Sequence, residues 1–319
     1  MLYRLLYIPA KFALWIYCRN LSINNRTPLS LNGPLLIAAN HPNSFLDAII
    51  LSTIFKRPIY SLARGDAFTK PFYEKLLRSM NMFPVYRISE GAKNLQNNYD
   101  TFDKCKEIFR RNGIVLIFSE GRCINEWGLR PLKKGTARLS QSCWQEGIPL
   151  TILPTGINYQ SFTCFGKNIQ LNFGNIISEK DISPDGAFGK TINEFNDKLR
   201  TGLMPLVVHI PSNEKEKIRN IFYVPQSLIK KILLYLPASI GYMLHAPLYI
   251  PIEKLSAVKG GHNDHYDSLM VGLLFILYPL YLVLLSLLVH WLITGYWWLS
   301  VFVVLPFCAW SYVQLKKQF

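Results

Sequence analysis

Apolar and polar residues alternate along residues 33–205 in two kinds of segment. Short apolar runs bounded by polar residues, Gly or Pro are typical of buried strands, and amphipathic stretches between them are typical of helices. The apolar runs predict strands at 34–39, 58–63, 113–118, 149–157 and 168–173. The amphipathic stretches predict helices at 45–55, 70–80, 97–111, 133–146 and 190–203. This order predicts an α/β fold with a mixed, mostly parallel sheet flanked by helices.

The C-terminal part of the chain follows a different pattern. No Lys, Arg, Asp or Glu occurs between Ser268 and Leu315. A helix needs about 20 apolar residues to cross a bilayer, so this stretch has room for two spans. We place them near 269–289 and 297–313, with HWLITGY as the turn. A buried hairpin in a soluble protein is the alternative, but buried helices usually keep one polar face. The pattern therefore favours a C-terminal transmembrane helical hairpin.

The N-terminal segment 1–25 contains a basic amphipathic helix. Arg4, Lys11 and Arg19 lie near one side, and no acidic residue precedes Asp47. This pattern is typical of an interfacial helix in the lipid headgroup layer, and a helix packed on its own domain is the alternative. The apolar face comprises Leu2, Leu5, Leu6, Pro9, Phe12, Ala13 and Ile16.

The region 206–260 connects the α/β part to the hairpin. It begins with the polar stretch PSNEKEKIRN and continues as an apolar stretch, 228–252, that Pro237, Pro247 and Pro251 interrupt. We interpret this stretch as one or two helices on the membrane surface. The chain is thus predicted to have four parts, which are an interfacial helix (1–25), an α/β domain (26–205), a linker with surface helices (206–260) and the hairpin (261–319).

Composition narrows the range of partners. The formal net charge is +15, and charged residues make up 17% of the chain, against about 25% in typical globular domains. Basic proteins usually meet nucleic acid, anionic lipid or phosphorylated substrates. Because the sequence contains no nucleic-acid-binding motif, we predict no nucleic-acid partner and favour membrane lipids, especially anionic ones, and a phosphorylated substrate. The six cysteines are scattered without a CxxC pair, which indicates reduced cytoplasmic thiols.

Basic residues near the hairpin predict its orientation. Lys254 and Lys259 precede it, and Lys316 and Lys317 follow it. Since Lys and Arg near the spans set the orientation, both ends of the hairpin should lie in the cytoplasm. We therefore expect the α/β domain on the cytoplasmic side of a membrane, which we take to be the bacterial inner membrane.

The stretch NHPNSFLDA, residues 40–48, follows the first predicted strand and carries candidate acid–base chemistry. A carboxylate at Asp47 would hold one imidazole nitrogen of His41 and leave the other free to take a proton from a hydroxyl. A capping box is the alternative, because Ser44 and Asp47 stand three residues apart before an apolar run. The two interpretations are compatible.

Two further motifs come later in the chain, and the second of them follows the predicted strand 113–118. MFPVYR ends in Arg87, and IFSEGRC contains Glu120, Gly121 and Arg122 before the basic stretch GLRPLKKGTARLS. A strand end, a basic loop and a helix start can bind phosphate through backbone N–H groups and side chains such as Lys133. Taken singly, each motif is equally well read as a surface charge or a charged turn.

In this order, the motifs resemble the glycerol-3-phosphate and lysophosphatidate acyltransferase family, the HxxxxD-type phospholipid acyltransferases. The matching pieces are NHPNSFLDA, MFPVYR, FSEGRC with LRPLKKGTARL, and IPLTILPTGI, and they cover roughly residues 30–175. The resemblance implies a glycerolphosphate acyltransferase-like fold. It also implies a membrane-bound enzyme of phospholipid biosynthesis that moves a fatty acyl group to a hydroxyl of glycerol 3-phosphate or 1-acylglycerol 3-phosphate.

The resemblance implies a catalytic pair and a donor. His41 is the general base that deprotonates the acceptor hydroxyl, and Asp47 orients it. The acyl donor is a thioester of coenzyme A or acyl carrier protein, no covalent acyl-enzyme forms, and no further cofactor is expected. The stretch HNDHYD (262–267) offers His and Asp side chains but lacks a second ligand cluster, so we expect no metal.

The resemblance also implies a set of residues that bind the phosphorylated acceptor. Arg87 binds the acceptor phosphate, and Glu120 and Gly121 shape the site beside it. Arg122 and Lys133 are further candidate ligands of the phosphate.

The sequence departs from the family pattern at three places. Five residues separate His41 from Asp47, where most members have four, and Ser119 replaces a proline. Arg122 and Cys123 stand where Thr and Arg are usual. The neighbouring arginine could lower the pKa of the Cys123 thiol, but nothing else in the sequence indicates a thiol role. These departures motivate an alternative, a non-catalytic lipid-binding or scaffold protein on the same fold. A thioester or lipid hydrolase is a weaker alternative because no GxSxG motif is present.

Overall fold

A seven-stranded sheet forms the centre of the molecule in a computed structural model, which describes residues 2–86, 92–183, 188–211, 213–293 and 295–319. The strands are β1 (Cys18–Ile23), β2 (Leu35–Ala39), β3 (Ile59–Arg64), β4 (Met82–Val85), β5 (Ile114–Phe118), β6 (Thr151–Tyr159) and β7 (Lys167–Phe173). Their order is β1-β7-β6-β2-β5-β3-β4. Neighbouring strands run parallel except β6 and β7, which are antiparallel. The predicted mixed, mostly parallel sheet is confirmed.

Helices cover both faces of the sheet. They are α1 (Leu2–Tyr17), α2 (Ser44–Ile54), α3 (Pro71–Ser79), α4 (Ala92–Arg110), α5 (Gly135–Gln145), α6 (Phe188–Leu203), α7 (Lys215–Phe222), α8 (Leu228–Gly260), α9 (Tyr266–Leu292) and α10 (Val301–Leu315). Alternate residues of β2 point to opposite faces. Leu35 and Ile37 pack in a core that includes residues of α1, α2 and α9, whereas Leu36 and Ala38 pack in a core built with α4, α5 and α6.

Two strands were missed by the sequence prediction. The segment 1–25 is not helical throughout, because α1 ends at Tyr17 and Cys18–Ile23 forms β1 beside β7. No Gly, Pro or polar turn residue separates this helix from the strand. The change from the helical to the strand pattern of apolar residues therefore cannot be seen in the sequence. The other missed strand, β4, is short and lies at the opposite edge of the sheet, where Pro84 is tolerated because a proline there removes no interior ladder bond.

The apolar stretch after the linker forms a single helix. α8 continues through Pro237, Pro247 and Pro251, although these prolines were expected to break it. It crosses α10 at close range, since a side chain added at Gly241 would overlap the backbone of Cys308. Packing against α10 therefore supports the proline-containing helix. Its position on a membrane surface stays a prediction.

The predicted C-terminal hairpin is present as α9 and α10, which are connected near Gly295. Within the described ranges, three helices are long and apolar enough to cross a membrane, namely Leu228–Gly260, Tyr266–Leu292 and Trp297–Leu315. The beginning of α9 is buried in the α/β domain at Tyr266 and Met270, and its large exposed apolar side chains begin at Ile276. The hairpin is thus packed into the domain at its base and exposes apolar residues beyond it.

The N-terminal helix α1 packs on the domain on one side and exposes apolar residues on the other, so it has features of both alternatives, the packed helix and the interfacial helix. Leu14 and Tyr17 are buried in the core beside the sheet. On its outer side, Leu5, Ile8 and Phe12 are exposed at helical spacing. The helix therefore packs on the domain and still presents an apolar stripe, and its place in the headgroup layer stays a prediction.

Candidate active site

His41 lies in the loop that follows β2, at the carboxyl edge of the sheet. β2 is paired with β5 so that Ala39 stands opposite Phe118, and the loops after the two strands therefore meet. The backbone N–H of His41 donates to Oε2 of Glu120 at 2.8 Å. The imidazole stacks on the Phe118 ring with centroids 3.8 Å apart and an angle of 9° between the planes. These contacts fix both the backbone and the ring of His41.

Asp47 lies in the first turn of α2 and is fully buried. Its Oδ2 atom is 2.9 Å from Nδ1 of His41 and also accepts the backbone N–H of Asn43 at 2.8 Å. Its Oδ1 atom accepts the phenol O–H of Tyr159 at 2.7 Å. Both oxygens of the carboxylate therefore have hydrogen-bond donors, which satisfies the charge away from water.

This geometry suits a general base. When Asp47 accepts the Nδ1–H of His41, the remaining nitrogen, Nε2, carries the lone pair and can take a proton. The side chain of His41 is 18% exposed, whereas that of Asp47 is 0% exposed. The histidine is therefore the member of the pair that a substrate can reach.

The predicted capping box, with Ser44 as the cap and Asp47 bonded back to the helix start, is confirmed for Asp47 and wrong for Ser44. Asp47 does return to the start of α2, where it accepts the backbone N–H of Asn43. Ser44 is the first helical residue rather than the cap, with φ of 46°, and its hydroxyl contacts His265 instead of the helix backbone. Asp47 thus both ties the helix start and contacts His41.

Tyr159 is a site residue that the sequence reasoning missed. It ends β6, two residues beyond the block IPLTILPTGI that carried part of the resemblance. Burial and the neighbouring Asp47 carboxylate raise the pKa of Tyr159 well above its ordinary value, so the phenol keeps its proton and donates. Only the pairing of β6 with β2 brings it to Asp47, and sequence spacing carries no signal of that pairing.

Glu120 connects two loops at the site. It is 3% exposed, and its oxygens accept the backbone N–H groups of His41 and Arg130, each at 2.8 Å. Burial raises the pKa of Glu120, while these hydrogen bonds and nearby positive charge act in the opposite direction. The carboxylate therefore shapes the site by holding its backbone.

The structure brings Gly121, Arg122 and Lys133 into one region beside this loop. Gly121 has φ of +67°, and a Cβ there would lie 2.9 Å from Cγ of Lys133. The backbone N–H of Lys133 donates to the carbonyl of Ser119 at 2.7 Å, two residues before α5 begins. Arg122 and Lys133 are exposed. Arg87 lies outside the described residues, and its role stays a prediction.

The Cys123 thiol does not have the lowered pKa that its arginine neighbour could have caused. Its Sγ atom accepts the backbone N–H of Ser44 at 2.9 Å. Burial raises the pKa of Cys123 to about 12, with further contributions from nearby carboxylates including Asp47. The thiol therefore stays protonated at neutral pH and is a poor nucleophile.

The stretch HNDHYD contacts the site through single residues. Within the part of the chain that the structure describes, no group of three or more His, Cys, Asp or Glu side chains could hold a metal. Asp264 instead accepts the backbone N–H of Asn125 at 3.0 Å. His265 lies 3.0 Å from the Ser44 hydroxyl, and Asp267 is fully buried.

Parts of this chain are similar to known acyltransferases. Residues 20–158 match a family model described as Acyltransferase. A 1-acyl-sn-glycerol-3-phosphate acyltransferase of Chlamydomonas reinhardtii is 24% identical over 177 residues, which are 55% of this chain and 50% of that protein. The chain therefore spans about half the length of the curated relative it matches. The crystal structure of the 1-acyl-sn-glycerophosphate (LPA) acyltransferase PlsC from Thermotoga maritima aligns with a TM-score of 0.46 and 14% identity, over 70% of this chain and 81% of that chain.

Proposed function

We propose that this chain, whose residues 20–158 match a family model described as Acyltransferase, is a membrane-bound O-acyltransferase of phospholipid biosynthesis. It transfers a fatty acyl group from a thioester of coenzyme A or acyl carrier protein to a free hydroxyl of 1-acylglycerol 3-phosphate or glycerol 3-phosphate. The observation that carries the proposal is the 2.9 Å contact between His41 and Asp47 at the carboxyl edge of the sheet, inside the matched span. The name of the Chlamydomonas relative makes 1-acylglycerol 3-phosphate the first acceptor to test.

The reaction requires one proton to move twice. Nε2 of His41 takes the proton of the acceptor hydroxyl while its oxygen attacks the thioester carbonyl carbon. The tetrahedral intermediate then collapses, the carbon–sulfur bond breaks, and His41 returns the proton to the leaving thiolate. Asp47 stabilises the imidazolium that exists between the two transfers, which places the pair in the role of a general base with an orienting acid.

Basic groups beside the loop after β5 would bind the acceptor phosphate. Arg122 and Lys133 are exposed there, and the first turn of α5 supplies backbone N–H groups that have no acceptor within the helix. A hydrogen bond to a charged group contributes about 1.5–3 kcal/mol. Removing one such side chain, or Arg87, should therefore raise KM for the phosphorylated acceptor by about 10- to 100-fold. An unchanged KM would remove that residue from the phosphate site.

The helices support a membrane location. The thioester and the product both carry long acyl chains, and the exposed apolar residues of α9 and of α1 would keep the site beside the lipid. Lys254 and Lys259 at one end of the hairpin and Lys316 and Lys317 at the other favour a cytoplasmic catalytic domain. We propose the bacterial inner membrane, with anionic lipids beside these lysines.

The test is acyl transfer by the detergent-purified protein. Acyl-CoA and acyl carrier protein thioesters are combined with 1-acylglycerol 3-phosphate and with glycerol 3-phosphate. His41→Ala should lower kcat by about 10²–10⁴-fold without changing the melting temperature, because a general base contributes about that factor. His209→Ala, at an exposed histidine, is the matched control. A fully active His41→Ala protein would refute the catalytic assignment.

The same assay separates the alternatives. A wild-type protein that releases free fatty acid at the rate expected for transfer, with or without acceptor, is a hydrolase. A folded wild-type protein that turns over none of the thioesters with either acceptor supports the lipid-binding or scaffold alternative.

A further inference from the structure

A buried charge pair at the base of the hairpin is not used by the mechanism above. Asp267, in the first turn of α9, contacts the ammonium group of Lys167, the first residue of β7. Both side chains are 0% exposed. Tyr17, the last residue of α1, donates its phenol O–H to the same carboxylate. Elements from three distant parts of the chain therefore meet at Asp267.

A buried ion pair such as Lys167–Asp267 is not explained by its contribution to stability alone. Desolvating two charges offsets much of their attraction, so a buried pair is weak evidence for stability and is often kept because it specifies one arrangement. Burial and the Asp267 carboxylate raise the pKa of Tyr17 well above its ordinary value, so that this phenol also stays a donor. The cluster is thus one carboxylate surrounded by fixed donors.

One of these donors belongs to the catalytic loop. Nδ2 of Asn43 donates to Oδ2 of Asp267 at 2.5 Å. The backbone N–H of the same residue donates to Oδ2 of Asp47 at 2.8 Å, the atom that also contacts Nδ1 of His41. Asn43 therefore connects the first turn of α9 to the oxygen that orients the base.

Further contacts join the same two segments. The ammonium group of Lys167 lies 5.8 Å from the ring centroid of Tyr159, the residue that donates to the other oxygen of Asp47. On the hairpin side, Nδ1 of His265 lies 3.0 Å from the Ser44 hydroxyl. Ser268 Oγ accepts the backbone N–H of Phe45 at 3.4 Å. Three successive residues, 43 to 45, thus contact three residues within the short segment 265–268 at the base of the hairpin.

We propose that Asn43 and Asp267 are positioning residues for the His41–Asp47 pair, and that the base of the hairpin is a structural part of the active site as well as a membrane attachment. The inference rests on the proposed acyl transfer. It differs from a purely structural role of the ion pair, in which the pair would only fasten α9 to the domain and the chemical step would not depend on it.

The decisive variant is Asn43→Ala. It removes the side-chain link to Asp267 but keeps the backbone N–H of residue 43 and the ion pair with Lys167. A misplaced base lowers the rate by up to about 100-fold. We expect kcat to fall by about 10- to 100-fold, with KM for donor and acceptor changed by less than about twofold. Ser286→Ala removes the hydrogen bond from a buried hydroxyl at the other end of α9 to the carbonyl of Trp298, and it is the matched control with unchanged kcat.

A second background tests whether Asn43 acts through Asp267. The double variant Asp267→Ala with Lys167→Met removes both buried charges together and should lower kcat by a similar factor. Adding Asn43→Ala to it should lower kcat by less than about twofold more, because residues that act through one contact are not additive. A melting temperature is measured for each variant so that only folded protein is compared.

The outcomes are distinct. Wild-type kcat in Asn43→Ala overturns the inference, as does an equal loss on adding Asn43→Ala in both backgrounds. If the double variant does not fold, the comparison of Asn43→Ala with Ser286→Ala decides alone. Absence of acyl transfer by the wild type overturns the proposed function and this inference with it, whereas an active wild type indifferent to Asn43→Ala overturns the inference alone.

Discussion

Replacing Asp47 with asparagine removes the charge beside His41 and preserves the shape of the site. The asparagine carbonyl oxygen can take the position of Oδ2 and accept from Nδ1 of His41 and the backbone N–H of Asn43, which Asp47 now does at 2.9 and 2.8 Å. Its amide can donate to the Tyr159 oxygen, because a phenol accepts as well as donates. The substitution therefore isolates the effect of the carboxylate charge.

The magnitude follows from the distance. In the proposed acyl transfer His41 becomes a cation, and its charge and that of Asp47 would lie about 4 Å apart when averaged over both groups. Two unit charges at that separation attract by about 4 kcal/mol at an effective dielectric constant of about 20. Since about 1.4 kcal/mol corresponds to a tenfold change in rate, Asp47→Asn should lower kcat by about 10³-fold. KM should not change, because Asp47 is fully buried.

The assay is steady-state acyl transfer at saturating donor, with a melting temperature for each protein. Asp103→Asn, at an exposed carboxylate paired with Lys106 on α4, is the matched control for charge and should keep wild-type kcat. A folded Asp47→Asn protein with kcat within about tenfold of wild type would refute the reasoning, because the 10³-fold factor depends on the charge alone.

Four smaller predictions follow from the same region. Glu120→Gln should destabilise the protein by about 1–3 kcal/mol in thermal denaturation. The side-chain NH2 group cannot accept a hydrogen bond, so it leaves one of the two backbone N–H groups, of His41 or Arg130, without its acceptor. An unchanged melting temperature would contradict this. Gly121→Ala should cost about 1–2 kcal/mol for its positive φ, and a stabilised variant would contradict it. Because the pKa of Cys123 is about 12, its thiolate becomes abundant only as pH rises towards that value. Alkylation at pH 8, followed by mass spectrometry, should therefore be about 10³-fold slower than for a free thiol, and an equal rate refutes the buried thiol. A membrane-impermeant thiol reagent should label Tyr296→Cys in intact cells, whereas labelling only after lysis would reverse the proposed orientation.

Local patterns in the sequence predicted the elements that carry the candidate catalytic pair, His41 and Asp47. The apolar run before Asn40 predicts β2, and the apolar run after Ser44 predicts α2, so His41 and Asp47 fall at a strand end and in the first helical turn. Both positions depend on residues close in sequence, where period and capping signals act. The same reasoning failed at β1, because its residues follow α1 directly and pair with β7, which lies far along the chain.

Contacts between distant segments could not be read from the sequence. Tyr159, Lys167 and Asp267 come together only because β6 and β7 lie on one side of β2 and α9 packs against the same face of the sheet. In the sequence, Asp267 belonged to a polar stretch that resembled a weak metal motif. Its partners lie 100 residues or more away along the chain. Spacing rules describe ligands on one element, and they carry no information about which elements become neighbours.

The longer spacing between His41 and Asp47 and the cysteine at position 123 are connected by one contact. Ser44 adopts a φ of 46°, a left-handed conformation that costs a residue with a side chain about 1–2 kcal/mol. Its backbone N–H donates to Cys123 Sγ at 2.9 Å, and its hydroxyl contacts His265. This turn lies between His41 and Asp47, whose side chains are 2.9 Å apart despite the longer spacing. The two departures from the family pattern therefore belong to one local arrangement in which His41 and Asp47 are in contact, which favours the proposed base over a scaffold that has lost it.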